Sequence, residues 1–300
     1  LESIGDVLKN IVDKKYLNQN QSRMRELALQ NPKVQEFLNQ NQVDQATLNR
    51  SLSNLVLYVQ QLNSQSNKRV MAGYEPKLFL NGNVIDVTYT PTRQKQKHDA
   101  SQAAARRIEL IDLPLKLRNI ELQEVDQTAG RMLALTEIAK FLDEFDENKH
   151  ARGLYLDGDF GVGKTYMLAA LANSIARKGT KVIFLHVPSF IASLSSHFED
   201  NSLNEEIDRI AQAPVVIFDD IGAETLSEWS RDDVLGVILQ KRMDNELPTF
   251  FSSNLNLNML SDHFAQVKNG QNNLKADRLM ERVTFLSKEV LVRGENRRHQ

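Results

Sequence analysis

Across residues 1–63 apolar side chains recur at helical spacing. Ile4, Val7, Leu8, Ile11 and Val12 keep the i, i+3, i+4, i+7 spacing of one buried face. Met24, Leu27 and Leu29 carry it on to Asn31-Pro32, where proline interrupts or restarts the helix. Val34, Phe37 and Leu38 predict a short helix. Asp44, with Thr47 close behind, opens another that carries Leu48, Leu52, Leu55, Val56 and Val59. This regularity argues for a small folded bundle despite the abundance of Gln and Asn. Beyond a turn-rich break at 63–67 the pattern changes. Residues 77–80 and 84–89 predict a β-hairpin about Asn81-Gly82-Asn83. From 90 to 107 large apolar side chains almost vanish. That stretch predicts an exposed linker, extended first and then helical, whose Lys and Arg excess suits a solvated hinge better than a phosphate-binding arm.

From Ile108 onward short apolar runs alternate with amphipathic helices. Leu113-Pro114 and residues 117–120 suggest a strapped-down entry loop, followed by a helix over 130–145. Strands are expected at 154–157, 181–187, 214–218, 249–253 and 289–292, with helices at 166–176, 190–198 and 203–211. This alternation predicts an α/β domain, a doubly wound parallel sheet with helices on both faces. Its ligands belong beyond the C-terminal ends of the strands. The expected organisation is a mostly helical N-terminal domain with a β-hairpin (1–92), a linker (93–107) and an α/β domain (108–300).

Composition adds mainly exclusions. The 300 residues, 41 % hydrophobic, suit one large domain or two ordinary ones. A net charge of −2 exerts no global pull toward nucleic acid, so any DNA contact is expected to be a local patch. Zero cysteines exclude a disulfide framework and cysteine-ligated zinc. No apolar run approaches the ~20 residues of a membrane span. Residue 1 does not open a signal peptide. The chain begins at Leu1, so an initiator Met and a few residues are expected to be missing, and a cytoplasmic protein is expected.

The chemistry centres on Gly158-Asp159-Phe160-Gly161-Val162-Gly163-Lys164-Thr165, followed by Tyr166. A predicted strand precedes it and a predicted helix follows, the context of an ATP-binding phosphate loop (Walker A). Its glycines let successive N–H groups point into one concavity, and the helix dipole adds positive potential. Lys164 would reach the β- and γ-phosphates, and the Thr165 hydroxyl would ligate Mg²⁺. Asp219 and Asp220 end an apolar strand on the same edge. Asp219 would hold Mg²⁺, directly or through water, and Asp220 would act as general base on the attacking water. Asn254, closing the next strand, suits a polar sensor that orients that water. A strand inserted between phosphate loop and acidic pair marks P-loop ATPases in which a catalytic acid follows the metal-binding aspartate. Arg278 and Arg282 lie four apart on one helix, near Glu281. They form either a solvated salt-bridged face or a finger that completes a neighbour's ATP site. Arg293, Arg297 and Arg298 form either a second γ-phosphate sensor or a frayed basic tail.

Residues 158–165, 215–224, 250–254 and 276–282 together resemble the bacterial replicative-helicase loaders of the AAA+ superfamily, the primosomal type of Gram-positive bacteria in particular. Gly73-Tyr74-Glu75-Pro76 and residues 84–89 resemble that family's N-terminal helicase-binding domain. The resemblance implies an ATPase that binds ATP·Mg²⁺ and single-stranded DNA, grips a hexameric replicative helicase, and acts in primosome assembly. It also implies nucleotide-dependent self-assembly, with Arg278 at the finger position, Arg282 the next arginine and Arg297 the second sensor. Such loaders often carry cysteine zinc ligands around the hairpin. Residues 64–68 and 90–92 offer none here, and His98 alone cannot make a site, so no zinc is expected. A transposition-helper ATPase shares the core motifs. A nucleotide-gated adaptor with little hydrolysis and, more weakly, a small-molecule kinase are the other readings.

Overall fold

The computed structural model describes residues 22–64, 71–194, 202–267 and 270–296. The expected helical face at Ile4–Val12 and the candidate residues Arg297 and Arg298 lie outside them. The chain divides into two compact units, Leu1–Asp99 and Ala100–Gln300.

The described residues of the first unit open with α1 (22–29), α2 (Pro32–Gln40) and α3 (Gln45–Asn63). Asn31 caps α2 by accepting from Lys33 N, with Pro32 in the first turn, where its missing N–H costs nothing. Asp44 caps α3 by accepting from Thr47 N at 2.6 Å. The hairpin strands β1 (Tyr74–Asn81) and β2 (Val84–Pro91) pair antiparallel, with Asn81 opposite Val84. The two-residue turn is therefore Gly82-Asn83, with Gly82 at φ 59°, which glycine adopts without strain. Leu78 and Ile85 face α3 and join Ala28, Val34, Leu55 and Tyr58 in the core. The outer edge of β2 is closed by α3 rather than by another strand. Ser51 Oγ accepts from Ile85 N at 2.7 Å and Asn54 Nδ2 donates to Ile85 O at 2.9 Å. Helix α4 (Arg93–Ala105) starts directly after β2. The 90–107 segment is extended only at Thr90 and Pro91, the end of β2, and turns helical as soon as Thr92 Oγ1 accepts from Lys95 N.

The second unit holds six parallel strands, β3 (Ile108–Ile111), β4 (Gly153–Asp157), β5 (Val182–His186), β6 (Val215–Asp219), β7 (Thr249–Ser253) and β10 (Ser287–Leu291). Their order across the sheet is β10-β4-β7-β6-β5-β3. The edge strand β3 comes just before the entry loop expected at 113–120 and was not among the expected strands. Its four residues are too short for a period, and pairing with β5 makes it a strand. Helices α5 (Met132–Glu147) and α6 (Lys164–Arg177) cover one face. α7 (Val187–Ser193), α8 (Ser202–Gln212), α9 (Gly236–Asp244), α10 (Leu257–Ala265) and α11 (Asn273–Leu286) supply the core on the other. A short antiparallel pair, β8 (Gln266–Val267) and β9 (Gly270–Gln271), separates α10 from α11. Helix α7 starts at Val187 with Pro188 in its first turn, three residues before the expected start, so β5 stops at His186. Strands β4, β6 and β7 are buried along their whole length, which is why their central positions are apolar; the polar residues of β7 (Thr249, Ser252, Ser253) are buried too. A π-helical turn at Ser230–Leu235 leads into α9. There Arg242, wholly buried, donates to the carbonyls of Ile210, Ala211, Ala213 and Pro248 and to Thr249 Oγ1.

Candidate nucleotide-binding site

The strand order decides who meets whom. β7 lies between β4 and β6, so Asn254 stands between the phosphate loop after β4 and the aspartates after β6. All three open at the C-terminal edge of the sheet, above a cavity of ≈ 820 Å³. Lys164 begins α6 and is buried. Its Nζ donates to Gly158 O (2.6 Å), Asp159 O (2.9 Å) and Asn254 Oδ1 (2.6 Å). Asn254 Nδ2 in turn donates to Asp220 Oδ1 at 3.4 Å. Thr165 Oγ1 donates to Asp219 Oδ1 at 2.9 Å. A hydroxyl and a carboxylate side by side are hard oxygen donors of the kind Mg²⁺ takes together with phosphate oxygens. Burial pushes the Asp219 carboxyl above the usual carboxylate range, against hydrogen bonds from Ser252 and Thr165 that lower it. A cation beside it would favour the ionised form.

Within the loop, Asp159, Phe160 and Tyr166 are exposed, while Val162 is buried in the core under the loop. Gly163 sits at φ 100°, and a Cβ there would lie 2.9 Å from Arg131 Nη2. That arginine escaped the sequence reading. It is 4 % exposed, its Nε donates to Val162 O at 2.9 Å, and it lines the cavity. Burial pulls its pKa down, and no ion pair to a carboxylate offsets this among the described residues. Nothing in the 130–145 pattern marks it, since an arginine opening an amphipathic helix is ordinary.

Two more residues were missed. Ser252 Oγ donates to Asp219 Oδ1 at 2.6 Å and accepts from Asp220 N at 3.0 Å. His186 pairs in register with Asp219. Its Nε2 lies 3.9 Å from Asp220 Oδ2 and its Nδ1 2.8 Å from Ser189 Oγ. The signal was a polar residue inside or closing an apolar strand, legible only once the register of neighbouring strands is known.

The two arginines of α11 differ. Arg282 Nη1 donates to Gly236 O at 2.9 Å, at the start of α9. Arg278 is exposed and makes no hydrogen bond or ion pair among the described residues, and Glu281 pairs with neither arginine. Both lie outside the cavity lining. Arg293 is exposed, its backbone N–H donating to Gly130 O.

A family model described as the N-terminus of the primosomal protein DnaI matches residues 1–89. A second, described as IstB-like ATP binding protein, matches residues 92–300. Over 310 residues the chain is 35 % identical to the replicative helicase loader DnaI of Bacillus subtilis (strain 168), and the match covers 100 % of both chains. The chain belongs to the DnaI family of replicative helicase loaders. Its AAA+ fold is that of the family's solved members. A crystal structure of DnaI is 37 % identical with a TM-score of 0.57, covering 65 % of this chain and 99 % of that one. A candidate primosome component from Streptococcus pyogenes serotype M3 is 40 % identical with a TM-score of 0.56, covering 65 % and 98 %. Membership places the chain among P-loop ATP-binding proteins of DNA replication. No helix among the described residues is long and apolar enough to cross a membrane.

Proposed function

We propose that this protein is an ATP-dependent loader of the replicative DNA helicase, acting in the cytoplasm during primosome assembly. The observation that carries the reading is the convergence of Lys164, Thr165, Asp219, Asp220 and Asn254 on one cavity, in a chain similar along its whole length to a helicase loader. The N–H groups from Gly161 to Thr165 and the N-terminus of α6 receive the polyphosphate, and Lys164 turns from the loop carbonyls and Asn254 to its terminal oxygens. Thr165 and Asp219 would hold Mg²⁺, which neutralises charge on the phosphates when bound. Asp220, steadied by Asn254, takes the proton of the attacking water. Arg278, exposed and without a hydrogen bond or ion pair among the described residues, is the arginine offered to a neighbouring copy's site, whereas Arg282 serves its own chain by tying α11 to α9. Single-stranded DNA binds the ATPase unit, and the N-terminal unit grips the hexameric helicase without zinc. The interlock of α3 with the hairpin supports the zinc-free reading.

A transposition helper would share the ATPase unit, but the DnaI match over residues 1–89 favours the loader. Co-elution of the full chain with replicative helicase on size exclusion, with and without ATP, tests the reading. The complex is expected to form and to respond to nucleotide, and the Lys164→Ala variant to lose ATP turnover. Failure to bind helicase in either state would overturn the loader assignment. Unchanged turnover in folded Lys164→Ala would overturn the site.

A further inference from the structure

The turn that carries Asp220 is pinned at three consecutive N–H groups. Asp220 N donates to Ser252 Oγ and Ile221 N to Ser252 O, each at 3.0 Å. Gly222 N donates to Glu224 Oε2 at 2.8 Å. Asp220 itself sits at φ 61°, the left-handed region, which a residue with a Cβ keeps only where its surroundings enforce it. Ser252 accounts for two of the three fastenings and belongs to the sheet. The third is unusual. The Glu224 side chain is 0 % exposed, lies outside the nucleotide cavity, and has its other oxygen 3.3 Å from Nε2 of His263. A carboxylate taken out of water is costly unless its lone pairs are used, and here both oxygens are. His263 stands on α10, which packs against α11, the helix that carries Arg278.

We propose that Glu224, backed by His263, is a positioning residue for ATP hydrolysis. It fixes the left-handed turn, so that the Asp220 carboxylate stays aimed at Asn254, and it ties that turn to the helix pair bearing Arg278. This rests on the ATPase reading above. Removing Glu224 frees the Gly222 N–H and relaxes the turn. Asp220 then leaves its place while the phosphate loop, on another strand, keeps its grip on nucleotide.

The test compares Glu224→Ala, Glu224→Gln and His263→Ala with wild type in the full chain, under whichever assembly condition gives wild-type turnover. The measurements are kcat, KM and ATP affinity. Glu224→Ala is expected to lose kcat by on the order of tenfold to a hundredfold, the scale of an ångström-sized misplacement, with KM and affinity within about twofold. Glutamine keeps an oxygen for the Gly222 N–H and offers an amide N–H that a neutral imidazole accepts. Glu224→Gln should therefore recover kcat to within about threefold of wild type, with His263→Ala between the two. Wild-type kcat in folded Glu224→Ala overturns the proposal. So does a glutamine variant as slow as alanine, or a parallel loss of kcat and affinity, which marks general damage. If Glu224→Ala does not fold, His263→Ala decides, and wild-type kcat there overturns it too. A wild-type protein with no turnover under any condition would instead remove the ATPase reading beneath.

Discussion

Asp219 and Asp220 are adjacent in sequence and have opposite surroundings. Asp219 ends β6, is 4 % exposed, and touches Thr165 and Ser252. Asp220 has left the strand and meets Asn254 and His186. Asp220→Asn should therefore keep Mg²⁺-dependent ATP binding within about threefold and lose hydrolysis by on the order of a hundredfold or more. Asp219→Asn should weaken the Mg²⁺-dependent part of binding as well. Nucleotide titrations with and without Mg²⁺, beside steady-state turnover, separate the two, and equal loss of binding would reverse the roles. Arg131 makes a third case. Arg131→Ala removes the hydrogen bond to Val162 O and the side chain behind Gly163, so nucleotide affinity is expected to fall roughly tenfold, about 1.4 kcal/mol. Unchanged affinity would leave that arginine a purely structural group.

Between elements, a few long side chains do the fastening. Glu137 on α5 accepts from Lys140 on its own helix at 2.8 Å and from Lys288 on β10 at 2.7 Å. These bonds hold its carboxyl below the usual range. A depressed carboxylate pKa contributes stability above the unfolded-state value, lost as pH falls through the folded-state one. The lysines are 67 % and 55 % exposed, so the contribution is screened to about 1 kcal/mol or less. Glu137→Gln should lower denaturant stability by that amount at pH 7. The gap should close as the pH drops through the acid range, and a gap independent of pH would contradict the ion-pair account. Arg242 fastens more deeply, tying α9 to the end of α8 and to the start of β7, the strand that leads to Asn254.

At the scale of the whole molecule, Arg278 is exposed and has no hydrogen bond or ion pair among the described residues. If it balanced charge on its own helix, Arg278→Ala would cost at most ~0.5 kcal/mol and leave hydrolysis intact. As a finger for a neighbouring copy, it should leave ATP binding unchanged and abolish the rise in turnover on assembly with helicase or single-stranded DNA. Mixing Arg278→Ala with Asp220→Asn protomers should restore part of that rise, at junctions where one supplies the site and the other the arginine. Full stimulated activity from Arg278→Ala alone would remove the role.

The sequence by itself determined what is local. A phosphate loop is eight consecutive residues between a strand and a helix, and the aspartate pair and Asn254 each stand at the end of a short strand, so their position within their own segments needed only neighbours in the chain. The helical N-terminal segment and its hairpin were legible for the same reason, through period and turn chemistry. Tertiary structure decided what depends on register between distant segments. Only the order β4-β7-β6 puts Asn254 between Lys164 and Asp220, and only the pairing of β5 with β6 sets His186 beside the acidic turn. β3 became a strand by having a partner, Arg131 a loop brace by lying behind Gly163, and Glu224 an anchor by reaching back to Gly222 and across to His263. None of these carries a local signature. Hydrogen-bond partners dozens of residues apart, and a non-glycine residue held at positive φ, are outcomes of packing rather than of propensity.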